Sequence, residues 1–453
     1  MLGNLTMAAL QEAVSDGRID TVLACIVDMQ GRLMGKRLHA AHFCDGGHKE
    51  SHCCDYLLAT DLPMYTVEGF KSSSWDKGYG DYIMKPDLAT LRLVPWLPGT
   101  ALVLCDILDH HTHAPVPHAP RQMLKAQIAR LEALGYTPCL ATELEFFLFR
   151  SDPDSLRRAG YRPLETLSGV NEDYHILQTT KEETVLRPLR NGLYGAGIPV
   201  EGSKGEAETG QHELNIRYGE GVLAADYHTI AKHAAKECAF AAGHTATFIA
   251  KWRADKVGSA THIHQSLKGA EGPAFHDPSR RFGMSALMEA YMAGLIAYAP
   301  EIMVFCAPYV NSYKRFRKGT FAPTRAVWSV DNRTAAFRLV ADGTPGVRVE
   351  CRLGGADLNP YLAMAALLAA GAAGIEEGLS LGEPASGDAY EGTGAEVPLT
   401  LRDATNTLRG STMLRAAFGD PVVDHYVRAA EWEQEAFDAA VTDWEIERGF
   451  ELA

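Results

Sequence analysis

Glutamates, with histidine and arginine beside them, fall in four short blocks whose residue types suit charged chemistry: Glu143-Leu-Glu145, the stretch from Glu206 to Glu213, His262-Ile-His264 and Glu350-Cys-Arg352. In three of them two functional groups are separated by one residue, and in a strand such a pair points to one face. Two carboxylates on one face repel each other and are costly to bury unless a cation neutralises them. Taken alone, the run Ala141 to Phe149 serves equally well as a solvated sheet face or as part of a cation site. Glu206 and Glu213 stand at an odd offset, which puts them on opposite faces of a continuous strand. They can converge only if the chain bends, and Gly205 and Gly210 permit that; a surface hairpin with scattered charge is the other reading. No Gly-Lys-Ser/Thr follows these glycines, so they do not form a P-loop. One imidazole of the His pair could join the acids while the other meets a phosphate. Carboxylates with a single imidazole favour Mg²⁺ or Mn²⁺ over zinc.

Arginine supplies the complementary charge. Arg315 ends Asn311-Ser-Tyr-Lys-Arg315, Arg333 and Arg338 lie in Asp331 to Arg338, and Arg348, Glu350 and Arg352 alternate along one face. Guanidinium groups clamp carboxylate and phosphate oxygens bidentately, whereas isolated surface ion pairs are worth little. Acids that need cations beside arginines that need anions are accounted for together by a phosphoryl-transfer site.

The elements that must position these groups are legible in outline. Val22 to Val27 and Ala101 to Cys105 read as strands, the first followed by a turn from Asp28 to Gly31. Between them lies a turn-rich loop, Trp75-Asp-Lys-Gly-Tyr-Gly-Asp81. Asp109 to Pro120 holds four histidines and three prolines and reads as an extended linker rather than a metal site. After Pro120, Leu124, Ile128, Leu131 and Leu134 keep helical spacing up to a stop at Gly135. Further helices are expected around 222–242 and 284–298, from Asn359-Pro360 to about Gly378, and over Pro421 to Glu451.

Composition bounds the rest. A chain of 453 residues with 46% hydrophobic content can bury one large core or two domains. Its net charge of -14, with no Lys/Arg-rich run, argues against a nucleic-acid-binding face. The nine cysteines contain no Cys-x-x-Cys pair and read as reduced thiols. No basic segment leads into an apolar core at the N-terminus, so no signal peptide is expected. The longest apolar run, Leu362 to Ile375, is too short to cross a bilayer. A cytoplasmic protein with no membrane partner is the expectation.

In this order the blocks resemble the glutamine synthetase family over nearly the whole chain: ELEFF, GEAETGQHE, GSATHIHQS, NSYKR, DNRTAAFR and RVECR followed by NPYLAMAALLA. The resemblance implies an α+β fold, with an N-terminal β-grasp domain over residues 1–112 and a catalytic domain over 113–453 built on a curved antiparallel sheet. It implies a homo-oligomer of stacked rings, a dodecamer, with active sites between subunits. By position, Glu145, Glu213 and Glu350 match ligands of one Mg²⁺ or Mn²⁺, and Glu143, Glu206 and His262 those of a second; a third ion is possible in the family. Glu201, Tyr218, His264, Ser266, Arg338 and Arg348 match contacts to ATP. Gly258, Arg315 and Arg352 match groups that hold glutamate, and Arg333 the arginine that stabilises the transferring phosphoryl group. The implied reaction activates the γ-carboxylate of glutamate as an acyl phosphate, which a nitrogen nucleophile then attacks.

Several positions depart from the ammonia-using members of that family. Where those carry a Glu six residues after the Arg of NSYKR, this chain has Phe321, which can pack an alkyl group but cannot accept a proton. Val257 replaces an Asn, the Asp that helps bind ammonium has no clear counterpart (Asp76 and Asp81 lie in its region), and the Tyr used for adenylylation has none. The WDKGYGD loop and the SVDNRTA spelling resemble instead the branch that joins glutamate to polyamines, methylamine, ethanolamine or alkylamines. A γ-glutamyl-amine ligase is therefore expected, ahead of an ordinary glutamine synthetase. A catalytically silent glutamate- or nucleotide-binding relative is disfavoured by the intact set of acids, His262 and Arg333.

Overall fold

A computed structural model describes residues 3–453. The first sheet is mixed. Strands β1 (Thr21–Val27), β2 (Leu33–His39), β3 (Ser51–Cys54), β4 (Asp81–Pro86), β5 (Arg92–Leu93) and β6 (Thr100–Asp109) are ordered β2-β1-β6-β4-β3, with β5 beside β6. The central β1/β6 pair is parallel and its neighbours antiparallel, a grasp-like arrangement. Both central strands are apolar from Val22 to Val27 and from Ala101 to Cys105, because both their faces are covered there. Val22, Ala24 and Ile26 pack with Leu10 and Phe43 in the sheet's own core. Leu23 and Cys25, with Leu102 and Leu104, enter a second core shared with Leu144, Phe146 and Leu214.

Those three belong to the larger sheet, formed by β7 (Thr137–Phe149), β8 (Val200–Gly205), β9 (Gln211–Ile216), β10 (Gly219–Glu220), β11 (Thr245–Thr247), β12 (Thr261–Gly269), β13 (Gly272–Pro273), β14 (Trp328–Val330), β15 (Phe337–Val340) and β16 (Arg348–Cys351). Its main path is β14-β15-β16-β12-β7-β9-β8. All main-path neighbours run antiparallel except β14 and β15, which are parallel at one edge. Alternation gives this sheet an apolar back: Ile263, Leu267, Phe337, Leu339, Val349 and Cys351 pack on two nearly all-apolar helices, Ala286–Cys306 and Pro360–Glu377. The odd-numbered acids of β7 are left on the opposite face.

The two helices cross on glycine. A Cβ at Gly294 would lie 2.2 Å from Ala370 O and 2.8 Å from Gly374 Cα, so only hydrogen fits there. Ala286–Cys306 is long and apolar enough to cross a bilayer, but Met288, Tyr291, Met292, Leu295, Ile302 and Met303 are buried inside the protein, and it serves as a core helix. It runs through Pro300 beyond the expected end at 298.

Two polar ties join the sheets. Arg121 donates to both oxygens of buried Asp226, to Asp106 at 2.7 Å and to Asp87 at 2.8 Å. Asn359 caps the helix Pro360–Glu377 through Tyr361 N, while its Nδ2 donates to Asp28 O at 3.0 Å and Met29 O at 3.1 Å in the turn after β1.

Two expectations are corrected. The His-rich stretch is not an extended linker: Asp109 Oδ1 accepts from the amides of His111 and Thr112, Pro115 bridges back to Leu108, and Val116 and Ala119 are buried. His118 bonds Tyr82 OH at 3.2 Å and stacks 4.3 Å from His425. A local side-chain turn and two apolar anchors outweigh the prolines' preference for extension. The tail is two helices, Asp420–Asp438 and Asp443–Gly449, because Thr442 and Glu445 form a capping box that starts the second.

Candidate active site

Strand register assembles the charged face. His262 lies opposite Glu143, Glu145 opposite Glu213, His264 opposite Glu350, and Glu350 opposite Arg338. Directly paired residues in an antiparallel ladder share a face, so five strands place these groups in one band. The dyads thus behave as the spacing predicts. The seven-residue problem is solved by the hairpin between β8 and β9: Gly210 adopts φ +68°, and Gly205 backs onto Glu172 O, which a Cβ would approach to 2.3 Å. Glu206 N then donates to Gln211 O at 2.8 Å, and the Glu206 carboxylate turns towards Glu145 and Glu213.

The acids group differently from the partition expected by family position. Glu206 joins Glu145 and Glu213, each offering an oxygen within 4.8 Å of the others. Glu350 lies on the other side, 3.5 Å from His262 Nδ1, which is itself 2.8 Å from Glu143 Oε2. The hairpin carries Glu206 to the β9 side, whereas Glu350 stays three strands away on β16; register decides which acids are neighbours.

The electrostatics separate these two groups. Burial and the neighbouring Glu206 push Glu145 up to about 6. Burial and repulsion from Glu143 and Glu206 push Glu213 up to about 9. Glu350 moves the other way: burial opposes it, but His262 and Arg352 hold it down to about 2. Glu143, likewise buried, is held well below the carboxylate range by bonds from His262 and His264. Three carboxylates that cannot all ionise together are a cation-seeking arrangement. Oxygen donors with one imidazole suit Mg²⁺ or Mn²⁺.

Around the acids lies a cavity of about 290 Å³ lined by Glu143, Glu145, Glu206, Glu213, His262, Gly258, Arg315, Arg333, Arg338, Arg352 and Phe321, among others. Glu350 lies buried beneath it, bonded to Arg338 Nη1 at 2.8 Å and to Arg352 Nη1. A second cavity of about 560 Å³ shares Glu143 as a wall and is lined by Glu201, Tyr218, His264, Ser266 and Arg348. Arg338 is absent from that lining; it stands in the first cavity, paired to Glu350 and Asp331. Arg348 Nε donates to His264 Nδ1 at 3.3 Å, which leaves Nε2–H of that ring to donate to Glu143 Oε1 at 3.0 Å.

The guanidinium groups are not equivalent. Arg315 is buried, its Nη1 on Leu353 O and its Cγ so near Gly258 that an added Cβ there would sit at 2.5 Å. Arg333 is exposed at the mouth and makes no ion pair among the described residues, so its charge is available to an incoming anion. Phe321 lies beside it, 56% exposed, at φ +57° in a loop held by Thr320 Oγ1 on Arg317 O. No residue of the Trp75–Asp81 loop lines either cavity.

Three lining residues escaped the sequence reading. Lys204 Nζ contacts Glu206 Oε1 and lies 4.6 Å from the Tyr174 ring, and Asn215 Nδ2 donates to Glu213 Oε1 at 3.1 Å. Lys204 and Asn215 each sit two residues from a named acid, so the same-face rule extended by one step finds them. Tyr174, at φ +53° in a loop, carries no such signal.

The family description "glutamine synthetase, catalytic domain" matches residues 117–449. The chain is 46% identical to the gamma-glutamylethanolamide synthetase GlnA4 of Streptomyces coelicolor, over 99% of this chain and 96% of that one. It is 33% identical to the glutamate–isopropylamine ligase of a Pseudomonas species, over 98% and 97%. Among solved structures, the GmaS/ADP complex superposes with a TM-score of 0.84 at 25% identity, covering 97% of this chain and 99% of that one. The chain belongs to the glutamine synthetase family, on its γ-glutamyl-amine ligase branch.

Proposed function

We propose that this enzyme, an ATP-dependent carbon–nitrogen ligase, joins the γ-carboxyl group of glutamate to an organic amine through a γ-glutamyl phosphate. The observation that carries the reading is the single charged band of β7, β9, β12, β15 and β16, with Arg333 unpaired at its mouth. ATP occupies the larger cavity, flanked by Glu201, Tyr218, His264, Ser266 and Arg348, with its terminal phosphate reaching past Glu143; Arg338 braces Glu350 and Asp331 at the boundary. Glutamate takes the smaller cavity, with Gly258, Arg315 and Arg352 as its partners. Two or three Mg²⁺ or Mn²⁺ ions, held by Glu145, Glu206 and Glu213 and by Glu143, His262 and Glu350, would supply charge neutralisation of the phosphates.

The chain's own residues do the positioning. Arg348 fixes the tautomer of His264, so that ring donates rather than accepts towards Glu143 and the phosphate side. Arg333 meets charge that grows on the transferring phosphoryl group, a role of positioning and electrostatics rather than proton transfer. Phe321 gives the amine an apolar wall where an acid would favour ammonium, and relatives named as a gamma-glutamylethanolamide synthetase and a glutamate–isopropylamine ligase support that preference. Exposed Trp75, Ile176 and Phe450 fit burial between subunits in stacked rings, the dodecamer of the family, and the free cysteines fit a cytoplasmic setting. The boundary near residue 112 falls where β6 turns into the His-rich stretch, which supports the division into residues 1–112 and 113–453.

The test is ADP formation with glutamate, Mg²⁺ or Mn²⁺, and a panel of ammonium, methylamine, ethanolamine, isopropylamine and putrescine. An organic amine should give the largest kcat/KM. Ammonium exceeding every amine would return the enzyme to ordinary glutamine synthesis, and no turnover with any acceptor despite ATP binding would make it a silent relative.

A further inference from the structure

Behind the charged face lies a second cluster, fully enclosed. His212 precedes Glu213 on β9, and strand alternation turns it to the opposite side. There it meets Glu172, from the loop ahead of the short helix Ile176–Thr180, and Glu182, the residue before the helix Glu183–Gly195. Glu172 and His212 are 0% exposed and Glu182 is 1%. His212 Nε2 touches Glu182 Oε2 and lies 3.6 Å from Glu172 Oε2. Apart from the contacts these three groups make with one another, both ring nitrogens of His212, both oxygens of Glu182 and Oε2 of Glu172 find no hydrogen-bond partner. Outside the cluster, Glu172 Oε1 accepts from Gly210 N at 2.6 Å. Among the described residues no Lys or Arg pairs with either carboxylate.

Burying two carboxylates with no lysine or arginine beside them costs several kcal/mol per charge, and a polar network this incompletely satisfied is worse than an apolar core. The three side chains come from separate segments, yet each offers a ligand atom within 4.8 Å of the others, the span of one ion's coordination shell. We propose that Glu172, Glu182 and His212 form a buried divalent-metal site, distinct from the catalytic cluster, that takes zinc. The enclosure selects the ion. Mg²⁺ keeps several waters, and these residues line neither cavity of the active site, whereas four-coordinate zinc accepts two carboxylates, one imidazole and a single further ligand. Because the other oxygen of Glu172 holds the amide of Gly210, the ion would brace the hairpin that presents Glu206 and Glu213.

The experiment measures metal in the full-length protein, produced with zinc supplied and then passed through buffer containing EDTA. Mass spectrometry of metals on the wild type, Glu145→Gln and His212→Gln should find about one zinc per chain in the first two and none in the third. Glu145→Gln weakens the catalytic cluster, so zinc kept there belongs to the enclosed site. Zinc-free wild type, or zinc retained by His212→Gln, overturns the proposal. Should His212→Gln fail to fold, Co²⁺ titration of metal-free Glu145→Gln replaces it. A visible cobalt band that saturates at one equivalent and is bleached by Zn²⁺ supports the site, and its absence overturns it.

Discussion

Replacing Phe321 with Glu separates the two acceptor classes most directly. The position lines the glutamate-side cavity at 56% exposure, so an acceptor's carbons would cover the ring. Each methylene covered contributes ~0.8 kcal/mol, and two in contact contribute ~1.6 kcal/mol, about 15-fold in kcat/KM. A carboxylate there would also bond the nitrogen, at roughly 1.5–3 kcal/mol for a charged hydrogen bond. That gain applies to ammonium and alkylammonium alike and cancels in their ratio. The ratio of kcat/KM for isopropylamine or ethanolamine over ammonium should therefore fall about 15-fold, while the absolute value for ammonium rises about tenfold or more. Both side chains bear the same left-handed backbone at φ +57°, so folding should be unchanged. Phe321→Leu, which keeps an apolar wall, should hold the ratio within about threefold. Phosphate release measured across the amine series reads all three enzymes. A ratio that does not move in Phe321→Glu, or one that falls equally in Phe321→Leu, removes Phe321 from acceptor selection.

Arg333→Ala should lower kcat by roughly 10²–10³ with the KM for glutamate nearly constant, because its partner charge arises in the transition state; a change confined to KM would contradict that. Chelation with EDTA should abolish ADP formation and Mn²⁺ or Mg²⁺ restore it, and turnover that survives chelation would argue against ion-dependent phosphoryl transfer. Gly294→Ala places a Cβ 2.2 Å from a backbone oxygen and should cost about 3 kcal/mol or more in urea unfolding, whereas Gly410→Ala, with open space around it, should be neutral or mildly stabilising. His118 is held down to about 4 by burial, and His425 well below the ordinary histidine value by burial and the neighbouring His118. The unfolded chain binds more protons below the ordinary histidine value of about 6.5, so stability should fall as pH drops from about 6.5 to 4, by about 3 kcal/mol for His118 alone. Tryptophan fluorescence in urea at several pH values reads this slope, and an identical slope in His118→Asn would exclude the group.

The period-two rule was enough to put each dyad on one face, and the spacing of Leu124, Ile128 and Leu131 was enough to end a helix at Gly135. The convergence of Glu206 with Glu145 depended on Gly210 taking a left-handed turn, which the sequence permits but does not compel. What stayed hidden was register. Nothing local to Glu350 says that it faces His264, or to Glu145 that it faces Glu213, because those pairings are set by strands far apart in the chain. Which acids stand nearest one another follows from that register and not from their order along the chain. The His-rich stretch misled for a related one: its prolines and polar residues look solvated until His425, near the other end of the chain, closes over His118.

Asn359 staples the turn after β1 to the start of the most deeply buried helix, using one amide side chain for both. Gly31 in that turn is pressed so near Asn359 Cα that a Cβ would sit 3.0 Å away. The amino-terminal sheet and the catalytic half are thus not beads on a string. They should melt as one cooperative unit, and a chain severed between them would leave each fragment with an apolar flank open to water and little prospect of standing alone.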